Sequence, residues 1–308
     1  MGKIAFIFPG QGAQYAGMGK DFYDNFEDSK DIYEKAASIL GMDMAALCFE
    51  ENEHLNITEY TQIAMVTTCM AMLLQVNKSG IEPDICAGLS LGEYPAMMAS
   101  GVMTFEEGIK VVRQRGKLMQ NAVKPGIGGM AAVLGLDNET IEKVCEETEG
   151  TVIVANYNCP GQTVISGEKE AIERASEALK EKGAKRVIPL NVSGPFHSPM
   201  LKEAGEKLYE ILGDITIYNP SIPYVTNVNA EFIKSNKNIS ELLGKQVYSS
   251  VKWQQSVENM IADGVDTFIE IGPGKTLTGF IRKIDKSCKV INIEHVRDLE
   301  KLQEVLSC

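Results

Sequence analysis

The chain has 308 residues, a formal net charge of −12, 44% hydrophobic and 23% charged residues. This is an ordinary globular composition with enough chain for a sizeable core. The acidic balance argues against a general nucleic-acid binder, and no apolar run reaches the ~18 residues of a membrane span.

Ile4–Phe8 reads as a buried first strand and not as the core of a signal peptide. The loop "PGQGAQYAGMG" follows it, and then helical stretches over about Phe22–Leu40. Thr58–Lys78 is a long apolar helix with Thr58 as the expected N-cap. Ile85–Ala87 is a short strand, then comes "GLSLGEYPAM", with Pro95 close to the start of the next helix. Thr104 and Glu107 form a capping-box pattern for a helix running to about Val123.

Residues 124–192 change character. Strand Met130–Leu134, helix Asn138–Thr148, strand Thr151–Asn156, strand Thr163–Ser166, helix Lys169–Lys182 and strand Arg186–Leu190 give a ferredoxin-like βαββαβ order. The α/β pattern resumes with helix Met200–Leu212, strand Tyr224–Thr226, helix Trp253–Asp263 and strand Thr267–Ile271. The expected fold is therefore α/β: a parallel-sheet core over 1–123 and 193–308, with a small subdomain inserted at 124–192.

The seven cysteines (48, 69, 86, 145, 159, 288 and 308) are scattered singly, with no CxxC pair. That spacing predicts neither metal site nor disulfide and fits a reducing cytoplasm.

The most pointed motif is Gly88-x-Ser90-x-Gly92. Alone it says little. Between a buried strand and a helix it has the setting of a nucleophile elbow, where the serine oxygen is exposed and the next N–H can serve an oxyanion. A serine needs a base. His54 lies in an acidic stretch and His295 at the start of a charged terminal helix. His197 follows a strand, with Ser198 as expected helix cap and Pro199 at the first helical position. A helix N-terminus at that point would keep the imidazole neutral. Arg115 falls inside the apolar arc of Phe105–Val123. A buried guanidinium needs either a protein carboxylate or a carboxylate-bearing substrate. Two glycine-rich stretches are decoys. "PGQGAQY" has Tyr15 where a dinucleotide fingerprint needs glycine, and "GPGKT" has Ile269 where a phosphate loop needs its first glycine.

Taken together, "FPGQGAQYAGMG", "GLSLGEY", "RQRGKLMQ", "NYNCPGQTVISG", "GPFHSPM", "QVYSSVKW" and "EIGPGKTLTGF" resemble, in this order and over nearly the whole chain, the malonyl-CoA:acyl-carrier-protein transacylases. The resemblance implies an α/β-hydrolase-like core with a ferredoxin-like insert. It implies Ser90 as nucleophile, His197 as base, the N–H groups of Gln11 and Leu91 as oxyanion hole and Arg115 as clamp for the malonate carboxylate. It also implies that the main-chain carbonyl of Gln246 orients His197, and that Phe196 and Leu91 belong to the malonyl-selective pattern. Where the family turn usually reads Gly-His-Ser, this chain has Leu89. The implied reaction is ping-pong transfer of malonyl from malonyl-CoA to the phosphopantetheine thiol of acyl carrier protein, for fatty acid synthesis. No metal or bound cofactor is implied, since the coenzyme A thioester is a substrate. A monomer in the cytoplasm, without nucleic-acid or membrane partners, is expected. The residues alone leave two other readings open: a serine hydrolase or thioesterase using the same Ser–His pair, and a non-catalytic carrier-binding scaffold.

Overall fold

A computed structural model describes residues 2–303. Six strands form the larger sheet: β1 (Lys3–Phe8), β2 (Ile85–Gly88), β7 (Tyr224–Val225), β8 (Phe232–Ile233), β9 (Val265–Ile271) and β10 (Lys289–Ile293). Their order is β10-β9-β1-β2-β7-β8, and all neighbours are parallel except the β7–β8 pair. β1 is central and fully apolar from Ala5 onward, as a strand covered on both faces must be. The long helix α4 (Thr58–Lys78) is buried on nearly all sides, which explains its continuous apolar run. Sequence reading missed the two-residue strand β8, helix α3 (Met44–Phe49), helix α10 (Ile239–Gln246) and strand β10.

The smaller sheet is antiparallel, in the order β4-β5-β3-β6, from β3 (Gly128–Leu134), β4 (Val152–Cys159), β5 (Gln162–Glu168) and β6 (Arg186–Pro189). With helices α7 (Asn138–Glu147) and α8 (Lys169–Glu181) it completes the ferredoxin-like βαββαβ unit, which has an apolar cluster of its own. The small sheet is tied to the segment ahead of the next helix, Trp253–Ala262, where Tyr157 N–H donates to the Val251 carbonyl (2.9 Å) and Val251 N–H to that of Ala155 (2.8 Å). The capping box of α6 (Phe105–Asn121) is present, with Thr104 Oγ1 accepting from Glu107 N and Glu107 from Thr104 N.

Two expected caps are absent. Ile57, not Thr58, is the N-cap residue of α4. Thr58 begins the helix, and its hydroxyl instead meets Gln11 Nε2 and Ser193 Oγ. Ser198 precedes only a three-residue 3₁₀ turn, Pro199–Leu201, ahead of α9 (Lys202–Leu212), and its hydroxyl donates back to the Pro195 carbonyl. So short a turn has little dipole, and the neutrality of His197 needs another cause.

Candidate active site

The carboxyl ends of the parallel strands converge on one cleft of about 200 Å³. The loop after β1 brings Gln11, the turn after β2 brings Leu89, Ser90 and Leu91, and the start of the helix after β9 (Thr276–Ile284) brings Thr276. This is where open α/β sheets bind their ligands. The small sheet closes the other side with Met130, Asn156, Asn158 and Val164.

Ser90 sits at φ 52°, in the left-handed region that a non-glycine residue rarely adopts. Positions 88 and 92, two residues to either side, must be glycine for lack of room. A Cβ on Gly88 would lie 1.9 Å from the Gly92 carbonyl oxygen, and one on Gly92 2.1 Å from that of Phe8. The turn thus packs back on itself and on β1, and pushes Ser90 outward. Two side chains hold its backbone. Asn227 Oδ1 accepts from Ser90 N–H (2.6 Å), and Gln246 Nε2 donates to the Ser90 carbonyl (2.9 Å).

The geometry brings Ser90 and His197 together: Ser90 Oγ and His197 Nε2 are 2.7 Å apart. His197 Nδ1 lies 2.8 Å from the main-chain carbonyl of Gln246, at the end of α10. A carbonyl only accepts, so the proton is on Nδ1 and Nε2 is free to accept from the serine. His197 is buried, and its pKa is pushed down to about 4, first by burial and then by the charge of Arg115. Burial therefore does what the sequence assigned to a helix terminus. His54 is exposed and His295 half-buried, and neither lines the cleft.

Arg115 is buried on the apolar arc of α6, as its position predicts. Its Nη2 donates to Ser90 Oγ (3.3 Å) and to Gln246 Oε1 (2.9 Å), and the guanidinium lies 5.4 Å from the centroid of the Tyr94 ring. No carboxylate among the described residues stands within 4.0 Å of it, and its Nε has no partner. It is a buried cation facing a cleft with unused donor capacity, the situation in which an incoming carboxylate gains most. Gln11, Leu91 and Phe196 all line the cleft beside Ser90.

Glu93, Asn227 and the side chain of Gln246 make contacts at the site that the sequence reading missed. Glu93 read as an ordinary acid in a first helical turn. The available signal was its company: it is the only charged residue of α5 (Glu93–Ala99), and that helix is otherwise apolar.

An α/β core whose serine and histidine meet at the strand ends is common to serine hydrolases and acyltransferases, and residues 5–303 match the acyl transferase domain family. Over 304 residues the chain is 45% identical to the malonyl CoA-acyl carrier protein transacylase of Bacillus subtilis, covering 97% of this chain and 96% of that protein. The crystal structure of the Clostridium perfringens transacylase superposes with a TM-score of 0.96 at 49% identity, covering 99% of this chain and 97% of the other. A malonyl-transacylase solved in complex with its type II PKS acyl-carrier protein gives 0.96 at 39%, covering 98% and 99%. The chain belongs to the malonyl CoA-acyl carrier protein transacylase family.

Proposed function

We propose that the protein transfers a malonyl group from malonyl-CoA to the phosphopantetheine thiol of acyl carrier protein, through a malonyl ester of Ser90. The observation that carries this reading is the convergence of two different groups on one serine oxygen: a neutral imidazole 2.7 Å away and a buried guanidinium 3.3 Å away. The imidazole supplies a base, and the guanidinium supplies a reason for the acyl group to bear a carboxylate.

In the first half-reaction His197 Nε2 takes the Ser90 proton while Oγ attacks the thioester carbonyl. The N–H groups of Gln11 and Leu91 hold the tetrahedral oxyanion. The C–S bond breaks, His197 returns the proton to the coenzyme A sulfur, and the serine ester remains. In the second half-reaction the carrier thiol gives its proton to His197 and attacks the ester, and Ser90 leaves with that proton. Residues 124–192 act as the subdomain that covers the acyl pocket, and Phe196 contributes to malonyl selectivity. The names of the relatives and the carrier-protein complex of one of them support this substrate pair. We assign the reaction to the cytoplasm. In the structure no helix among the described residues is long and apolar enough to cross a membrane.

The test is intact mass after mixing with malonyl-CoA. One added malonyl group, removed by carrier protein as malonyl-carrier forms, is the expected result. Rapid release of free malonate without carrier protein would show a hydrolase instead.

Arg115→Ala tests the clamp. It should cost malonyl transfer about 3–5 kcal/mol, the loss typical of one partner of a desolvated charge pair, and acetyl transfer much less. Equal losses with malonyl-CoA and acetyl-CoA would make Arg115 structural.

A further inference from the structure

Glu93 lies beneath the site, 1% exposed, and takes no part in the steps above. Its Oε2 accepts from Gln246 Nε2 (2.7 Å) and from the Asn227 backbone N–H (3.1 Å). These are the two residues whose side chains hold the Ser90 peptide, Asn227 on its N–H and Gln246 on its carbonyl. Asn227 also donates from Nδ2 to the Gly88 carbonyl (2.7 Å), so both ends of the turn hang on it.

The direction of the Gln246 amide follows from the same contacts. A carboxylate and a carbonyl only accept, so the amide nitrogen must face Glu93 and Ser90, with one hydrogen for each. The oxygen is then left for Arg115 Nη2, 2.9 Å away. Turned over, the amide would set oxygen against two acceptors and nitrogen against a guanidinium. Without Glu93 one amide hydrogen loses its acceptor, and Gln246 is free to leave the Ser90 carbonyl.

We propose that Glu93 is a positioning residue of the transfer reaction: through Gln246 and Asn227 it holds the strained Ser90 turn and aims Arg115 at the acyl carboxylate. This rests on the reading of Ser90 as nucleophile.

A second consequence concerns charge. The titratable and charged groups facing Glu93 are Arg115 on α6, Tyr94 on its own helix and Tyr224 on β7, with His197 beyond Ser90. Burial pushes the Glu93 pKa up to about 7, against the hydrogen bonds from Gln246 and Asn227 and the charge of Arg115. A malonyl carboxylate on Arg115 adds a second negative charge to this buried group, and that favours the protonated form of Glu93. Malonyl-CoA should therefore bind better with Glu93 neutral: its KM rises as pH increases through about 7. An acetyl group brings no such charge, so the KM of acetyl-CoA should show no such step.

The experiment compares Glu93→Ala and Glu93→Gln by single-turnover acylation, with malonyl-CoA and acetyl-CoA, followed by mass. Glutamine keeps an oxygen for Gln246 and Asn227 but cannot ionise. Glu93→Gln should acylate near the wild-type rate and lose the pH step in the malonyl KM. Glu93→Ala should slow acylation by both donors, by about 10²-fold for a nucleophile displaced from its working geometry. Equal defects in the two variants, wild-type rates in both, or a pH step that survives Glu93→Gln would each overturn the proposal. If the alanine variant does not fold, the glutamine pH profile still decides. Ser90→Ala, scored in the same series, tests the Ser90 reading separately.

Discussion

Ser90→Ala is expected to abolish acyl-enzyme formation, with a residual rate roughly 10⁶-fold below wild type, the scale seen when a serine nucleophile is removed outright. Ser90 Oγ is the atom that both His197 Nε2 and Arg115 Nη2 reach. Alanine keeps the Cβ that the turn accommodates and carries the same strain at φ 52°, so the backbone clamps of Asn227 and Gln246 survive the change. The variant should fold, bind malonyl-CoA and fail in chemistry alone. The buried cysteines offer no replacement. Cys69 and Cys86 are fully buried, and burial pushes the Cys86 thiol up to about 12 and the Cys69 thiol higher still. Neither has meaningful thiolate at neutral pH. A Ser90→Ala protein that still gains one malonyl mass per chain would place the nucleophile elsewhere.

Local rules made much of this molecule legible. The capping box at Thr104, the four strands and two helices of the βαββαβ unit and the apolar arc around Arg115 are each signalled by residues a few positions apart. They can be read without knowing the rest of the fold. The glycines around Ser90 were visible too, although the reason for them was not. The atoms a side chain would strike belong to Phe8, 84 residues away from Gly92, as well as to the turn itself. What stayed hidden is held by long-range contacts. Glu93 meets Asn227 across 134 positions and Gln246 across 153, and no spacing in the chain announces either contact. Gln246 shows the difference within one residue. Its carbonyl role came with the resemblance, whereas its side chain, which joins Ser90, Glu93 and Arg115, needed coordinates. The cap expected from Ser198 fails in its side chain alone: Ser198 and Pro199 do stand at the start of the turn that leads into α9. A serine followed by proline is a fair start signal, but the hydroxyl found the Pro195 carbonyl first.

His197→Ala should slow acylation by about 10²–10⁴-fold, the range of a positioned general base. Alanine at exposed His54 or half-buried His295 should leave the rate nearly unchanged. The pH dependence separates a base from a packed ring. A general base works in its neutral form, and with the His197 pKa at about 4 that form dominates through the whole neutral range. The acid limb of kcat/KM, which reports the free enzyme, should therefore have its half-point near 4 and not near the ordinary histidine value of about 6.5. Part of that depression comes from the charge of Arg115. A malonyl carboxylate paired with Arg115 cancels much of it, so the base should strengthen once substrate is bound. The half-point of kcat, which reports the complex, should accordingly lie higher with malonyl-CoA than with acetyl-CoA. On the proposed reading, a substrate held by Arg115 would also make His197 a better base. The ring's orientation comes from a main-chain carbonyl 2.8 Å from Nδ1, which no side-chain substitution can delete. Single-turnover acylation measured from pH 3.5 to 8 with both donors checks all of this. An acid limb near 4 that persists in His197→Ala would assign the titration to another group and remove His197 from the chemistry.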